Sequence, residues 1–235
     1  MAIALRGALN HLTAVASNGA NVTLTFDTIT PPLEDDIVVV FGGHGIQTTT
    51  LAAPGTGYTQ IGIHTGSAPI FGMWYKRMGA TPDLSVVCSG GGAAQDAVCY
   101  GCYVLSGVDV VTAEDAAATT AGPTTSSNPD GPSITTANAN SWVVTCSGSD
   151  VRDTAIGTIS GYSNRLAATR NDTEDITIGA STFLNVGADA EDPPAWSAWL
   201  SGTWYSITAA FREASAGGGI DPGVAGFMNS YRGTQ

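Results

Sequence analysis

Apolar residues in this chain come in runs of strand length, separated by clusters of Gly, Pro, Asn, Asp, Ser and Thr. Asn21-Val22-Thr23-Leu24-Thr25-Phe26 alternates, which predicts a half-buried strand with Val22, Leu24 and Phe26 on one face. Ile37-Val38-Val39-Val40-Phe41 is an unbroken, largely β-branched run ended by Gly42-Gly43, and it reads as a short buried strand. The same reasoning predicts strands over 58–63, 69–76, 84–88 and 97–104, then over 133–135, 142–146, 162–168, 175–182 and 203–211. In the last of these, Trp204, Ser206, Thr208 and Ala210 fall on one face and Tyr205, Ile207, Ala209 and Phe211 on the other. Residues 42–57 read as a loop rich in Gly and Thr.

The pattern returns at a nearly fixed distance. Val38 and Val143 are 105 positions apart in similar runs, as are Ile29 and Ile134; Tyr58 and Tyr162 are 104 apart, and Val98 and Trp204 are 106 apart. Long runs with helical spacing are absent, and thirty glycines and eleven prolines supply many turns. The expected fold is all-β: an antiparallel, jelly-roll-like β-sandwich built from two pseudo-repeats of about 105 residues. Its parts would be an N-terminal arm over 1–17, a sandwich over 18–213 and a linker with a docking tail over 214–235. The repeat halves would span about 18–112 and 133–213, with a surface crossover over 113–132.

Charge narrows the partners. The formal net charge is −12, with Lys76 the only lysine beside seven arginines. Such a surface repels duplex nucleic acid and anionic membranes, so neither is an expected partner. The acidity suits solubility and mutual repulsion at high local concentration. No stretch approaches the length of a membrane span. Asn10 and His11 interrupt the apolar start, so a cleaved signal peptide is not expected.

Candidate chemistry is sparse. Cys99-Tyr100-Gly101-Cys102 has the spacing of a redox or zinc half-site, but residues three apart in a strand face opposite ways. Cys88, Cys99, Cys102 and Cys146 therefore read as buried free thiols, which fits synthesis in a reducing cytoplasm. His44 sits in Gly42-Gly43-His44-Gly45 without the G-x-S-x-G that an oxyanion-hole reading would need. The acidic loops (Asp150 with Asp153, Asp172 with Glu174 and Asp175, Asp189 with Glu191 and Asp192) match no calcium loop and read as solvated acids. No enzyme activity, cofactor or metal is expected.

Two groups of residues point to binding. Trp196 and Trp199 follow Pro193-Pro194, and with Tyr58 they either stack on a glycan or pack in the sandwich or at an interface. After the Ala216-Gly217-Gly218-Gly219 linker, Ile220, Val224, Phe227, Met228 and Tyr231 have no partner element of their own, so they are expected to anchor the chain on a neighbour, with Ile3 and Leu5 doing the same for the arm.

The opening Met1-Ala2-Ile3-Ala4-Leu5-Arg6-Gly7, Asp36-Ile37-Val38-Val39-Val40, Ala53-Pro54-Gly55-Thr56-Gly57-Tyr58-Thr59 and Met73-Trp74-Tyr75-Lys76 form a sequence of strands and turns. Val104-Leu105-Ser106-Gly107-Val108, Ser133-Ile134-Thr135-Thr136 and Ile207-Thr208-Ala209-Ala210-Phe211-Arg212 continue it. Over about residues 1–212 this resembles phage and prophage virion proteins with jelly-roll-like β-sandwiches, of the decoration, head-fibre or tail-associated type. The resemblance implies a structural virion protein held by terminal arms, with itself (a closed oligomer such as a trimer) and coat or tail proteins as partners. The alternative it implies is a carbohydrate-binding adhesin that engages a host-surface glycan. Tyr58 stands where these proteins usually carry Trp, and the matching Pro-Gly is missing before Tyr162.

Overall fold

The computed structural model describes residues 2–7, 11–45 and 50–215, and every regular element among them is a β-strand. Eight strands come first: β1 (Ala4–Leu5), β2 (His11–Ala16), β3 (Val22–Thr25), β4 (Ile37–His44), β5 (Thr59–His64), β6 (Ile70–Arg77), β7 (Ser85–Cys88) and β8 (Val98–Ser106). Seven follow: β9 (Glu114–Ser126), β10 (Ile134–Thr135), β11 (Ser141–Ser149), β12 (Ser163–Arg170), β13 (Ile176–Asn185), β14 (Ala190–Glu191) and β15 (Gly202–Phe211).

They form one β-sandwich. The first sheet has the order β2-β8-β4-β6-β5, with β1 also on β8; the second has β9-β15-β11-β13-β12, and every ladder is antiparallel. The two orders have one form: a central strand, β4 or β11, flanked by the next long hairpin strand and by the last strand of its half. Each half also has a two-stranded ribbon, β3-β7 in the first and β10-β14 in the second.

Facing side chains of the two sheets build the main core. Ile37, Val39, Phe41 and Phe71 from the first sheet meet Val144, Cys146, Ile178 and Ile207 from the second. Each such burial contributes roughly 1.5–3 kcal/mol. The sheets approach closely because Gly148 stands opposite Phe71; a methyl at 148 would collide with the Phe71 ring.

The alternate residues of the same strands are buried too. Val38, Val40, Trp74, Tyr100 and Cys102 point away from the second sheet and are covered by Val22, Leu24, Phe26 and Val86 of the β3-β7 ribbon and its flank. This explains the unbroken run in β4: neither face meets water. It also separates Cys99, in the inter-sheet core, from Cys102, in the outer cluster. Burial pushes the Cys88, Cys99 and Cys146 thiols well above their ordinary range.

Three boundaries differ from expectation. Gly42 and Gly43 do not end β4, which continues through His44; a methyl at Gly42 would strike the Cys99 carbonyl of β8 and one at Gly43 the Ile70 carbonyl of β6, so these glycines let both neighbouring strands approach β4. The arm over 1–17 is not separate from the sandwich, since β1 and β2 both pair with β8. The crossover over 113–132 lies at the surface, but 114–126 form β9 on the edge of the second sheet. An edge position tolerates Pro123, because a strand there needs only one side of its ladder.

Gly148→Ala is expected to lower stability by about 1–3 kcal/mol through overpacking against Phe71. Gly79→Ala, in open space, should stay within about 0.5 kcal/mol of the parent. Urea unfolding midpoints of the two variants check the pair.

Candidate functional site at the terminal pole

One end of the sandwich gathers both terminal segments, and two similar turns frame it. Asp27-Thr28-Ile29-Thr30 and Asp109-Val110-Val111-Thr112 share an aspartate followed two and three residues later by a β-branched residue and Thr. In the first, Asp27 Oδ1 accepts from the Ile29 N–H (2.8 Å) and Oδ2 from the Thr30 hydroxyl (2.6 Å). In the second, Asp109 Oδ1 accepts from the N–H groups of Val111 (2.8 Å) and Thr112 (2.9 Å). These bonds favour the charged carboxylate. The Thr30 hydroxyl and Ile29 N–H hold Asp27 below its ordinary range, and the Thr112 and Val111 N–H groups do the same for Asp109. Each pinned turn leaves an apolar side chain in solvent: Ile29 is 85% exposed and Val111 90%.

The N-terminal arm is tied down here. Arg6 donates its N–H to the Val104 carbonyl (2.9 Å). Its guanidinium makes a two-pronged ion pair with Asp36, Nη2 to Oδ1 at 2.9 Å and Nε against Oδ2. Asp36 Oδ2 also accepts from the Leu33 N–H at 2.7 Å, which fixes the turn before β4. Arg77 joins the neighbouring loops by binding Asp35 (Nε to Oδ1, 2.9 Å) and the Val110 carbonyl (Nη1, 3.3 Å).

The chain leaves β15 at the same place. Residues 212–214 run antiparallel to 107–109: Asp109 N–H donates to the Arg212 carbonyl (2.9 Å), Ala214 N–H to the Gly107 carbonyl (2.8 Å), and Val108 stands opposite Glu213. The end of β8 thus carries the arm, and the segment just after it carries the C-terminal exit. A groove of about 290 Å³ lies beside the exit between Glu34–Asp36 and 106–110, and a wider one of about 410 Å³ lies on its far side against Asn138–Asn140.

Asp115, which is outside the wider groove, holds the turn at Ala137 and Asn138 that forms part of its wall. It is 9% exposed and accepts from the N–H groups of Ala137 (2.7 Å) and Asn138 (3.1 Å) and from the Asn138 side chain. Burial pushes its carboxyl up, but the Asn138 side-chain and backbone bonds and the Ala137 bond outweigh it and hold the group below its ordinary value.

The structure relocates several candidate residues. Ile3, expected to anchor on a neighbour, is 5% exposed and packs in the chain's own inter-sheet core; Leu5 is half-buried and pairs with Leu105. Both hold the arm to its own sandwich. Ile220, Val224, Phe227, Met228 and Tyr231 lie outside the described residues.

The glycan candidates are corrected as well. Trp196 and Trp199 are 1% and 3% exposed and pack edge-to-face on the outer face of the second sheet, so neither offers a ring to a sugar. Trp196 Nε1 donates to the Ser147 hydroxyl at 3.1 Å, above a buried ladder in which Ser147 meets Ser206 (2.6 Å) and Thr145 meets Thr208 (3.1 Å). Tyr58 is half-buried beneath Lys76, whose Nζ is 5.7 Å from the ring centre and pairs with Asp83 at 2.6 Å. Burial, then the Asp83 charge, pushes the Tyr58 phenol far up.

The remaining polar candidates serve the fold. His44 is fully buried, its Nδ1 3.1 Å from Asp96 Oδ2, where the turn before β13 joins the first sheet through the Asp96–Glu174 bridge. Asp150 accepts from the Thr203 N–H, Asp153 from Leu200, Asp172 from Asn18, Glu191 from the Tyr162 hydroxyl and Asp192 from the Ser133 hydroxyl. Among the described residues, no group of three or more His, Cys, Asp or Glu is placed to hold a metal ion.

Sequence reasoning missed the pole because its residues are ordinary one by one. The signal was the repeated Asp-x-(Ile/Val)-Thr turn, which puts a β-branched residue where a turn normally carries a polar one. Compared with known proteins, the chain matches no family model, no curated protein and no solved structure.

Arg6→Ala should lower stability by about 1–2 kcal/mol, because Asp36 stays buried without its cation while Arg6 itself is partly solvated. Arg6→Lys should recover only part, since an ammonium cannot span both oxygens. Chemical denaturation reads both. Asp115, whose carboxyl is depressed on folding, stabilises the fold above its unfolded value, and this is lost as pH falls through the lower folded value. Asp115→Asn should therefore lower stability at neutral pH and flatten its acid-side decline below about pH 4.

Proposed function

We propose that this chain is a structural subunit of a phage particle, of the decoration or fibre type, which works by geometry and assembles through its terminal pole. The observation that carries the reading is the convergence at that pole. The C-terminal exit, two grooves and the fixed, solvent-facing Ile29 and Val111 occupy the same end of the sandwich. In this reading Ile29, Leu33, Val110 and Val111, exposed among the acidic and polar residues of that end, together supply the apolar contact.

The rest of the fold suits a rigid spacer. Both sheets are covered on their outer faces, and the buried acids and hydroxyls engage turns and loops. An excess of negative charge keeps copies apart except where a specific contact draws them together. The N-terminal arm belongs to the sandwich, which in this reading leaves the assembly contact to the residues that follow Ser215. The resemblance to virion β-sandwich proteins gives this assembly its setting.

Light scattering of the full-length protein beside a chain ending at Ser215 tests the reading. The expected result is a defined oligomer for the first and a folded monomer for the second. Equal monomeric masses would overturn it.

A further inference from the structure

Resting on that assembly reading, we infer that the groove between Glu34–Asp36 and Gly107–Val110 receives the C-terminal segment Ile220–Tyr231 of a second copy. The groove has two chemically different walls. One is apolar, with Val108 and Val110, continued outward by Val111; the other carries Glu34, Asp35 and Asp36, beside the 50% exposed Leu33. Asp36 is bound by Arg6 and Asp35 by Arg77, and Glu34 is exposed at the rim. The walls are held before any partner arrives, by the Asp109 turn on one side and the Asp36–Leu33 bond on the other. A prearranged surface lowers the ordering cost of association.

The occupant follows from where the chain leaves. Ala214 lines the groove, and twenty residues follow Ser215. Ile220 is five residues past Ser215, a reach of at most about 18 Å. Apolar residues in this segment recur at 220, 224, 227, 228 and 231, the spacing of one face of a helix, and Asp221-Pro222 is a helix-start signal. An amphipathic segment laid against an apolar wall is a general mode of peptide recognition. Arg232, the only Lys or Arg after Arg212, closes the pattern and complements the acidic wall at Glu34. In this arrangement each copy offers both a segment and a groove, so the contact repeats from copy to copy and closes a ring where the rotation allows.

Val111→Asp tests the groove without disturbing the core, because Val111 is 90% exposed and its backbone N–H still reaches Asp109. In full-length protein it should weaken association by about tenfold or more, read as a shift from oligomer to monomer by light scattering. Phe227→Asp should do the same from the segment side. A mixture of isotopically distinct full-length copies, one carrying Val111→Cys and the other Phe227→Cys, should give a disulfide between residues 111 and 227 of different copies. A full-length oligomer insensitive to Val111→Asp overturns the groove assignment and leaves the assembly reading standing. No disulfide between copies in that mixture, with one forming inside a chain that carries both Val111→Cys and Phe227→Cys and the protein monomeric, overturns both.

Discussion

Burial of both faces of each central strand is the constraint on which the rest of the molecule depends. β4 and β11 each lie between two neighbouring strands in the sheet and between two layers across it. Val39 and Phe41 must meet the second sheet, while Val38 and Val40 must meet something else, and the β3-β7 ribbon exists to cover them. On the other side, Val143 is covered by Ile134 of the β10-β14 ribbon, and Trp196 and Trp199 cover the neighbouring part of that face. A two-layer sandwich with wet outer faces would expose this apolar surface. The observed solution adds partial third layers on both sides, and these tie the loops down as they cover.

The two outer faces are covered by different chemistry. The first is apolar, with Val, Tyr and Cys under a ribbon of alternating residues. The second carries Thr145, Ser147, Ser206 and Thr208 in cross-strand pairs, buried and mutually hydrogen-bonded. A buried hydroxyl needs a partner. The pairing supplies one for each, and Trp196 adds an N–H to Ser147. This ladder places the 192–200 loop, and it explains why its tryptophans are inside.

Much of the fold was legible because strand periodicity is a local signal. The long strands lie where alternation and β-branched runs put them, and the two faces of β15 are those the alternation gives. What was not legible depended on neighbours. β9 is mostly Ala and Thr, which look like a linker, and it is a strand because β15 offers it a ladder. Gly42 and Gly43 read as a stop, yet they are where β8 and β6 come close. Trp196 and Trp199 gave no sign of which side of the sheet would claim them. The pole was least legible of all: Arg6 and Asp36, or Asp109 and Arg212, are far apart in sequence or unremarkable in type, and only the closing of the two sheets at one corner assembles them.

The sandwich thus has two unlike ends. At one, the buried His44–Asp96 pair and the Asp96–Glu174 bridge fasten the halves. At the other, pinned turns hold apolar side chains outward around the chain exit. Amide hydrogen exchange on the full-length protein, compared with the chain ending at Ser215, tests this division most directly. The account predicts added protection over 27–36 and 107–112 in the full-length protein and no change around His44 and Asp96. Equal protection at the pole in both proteins, or a gain spread evenly over the sandwich, would contradict it.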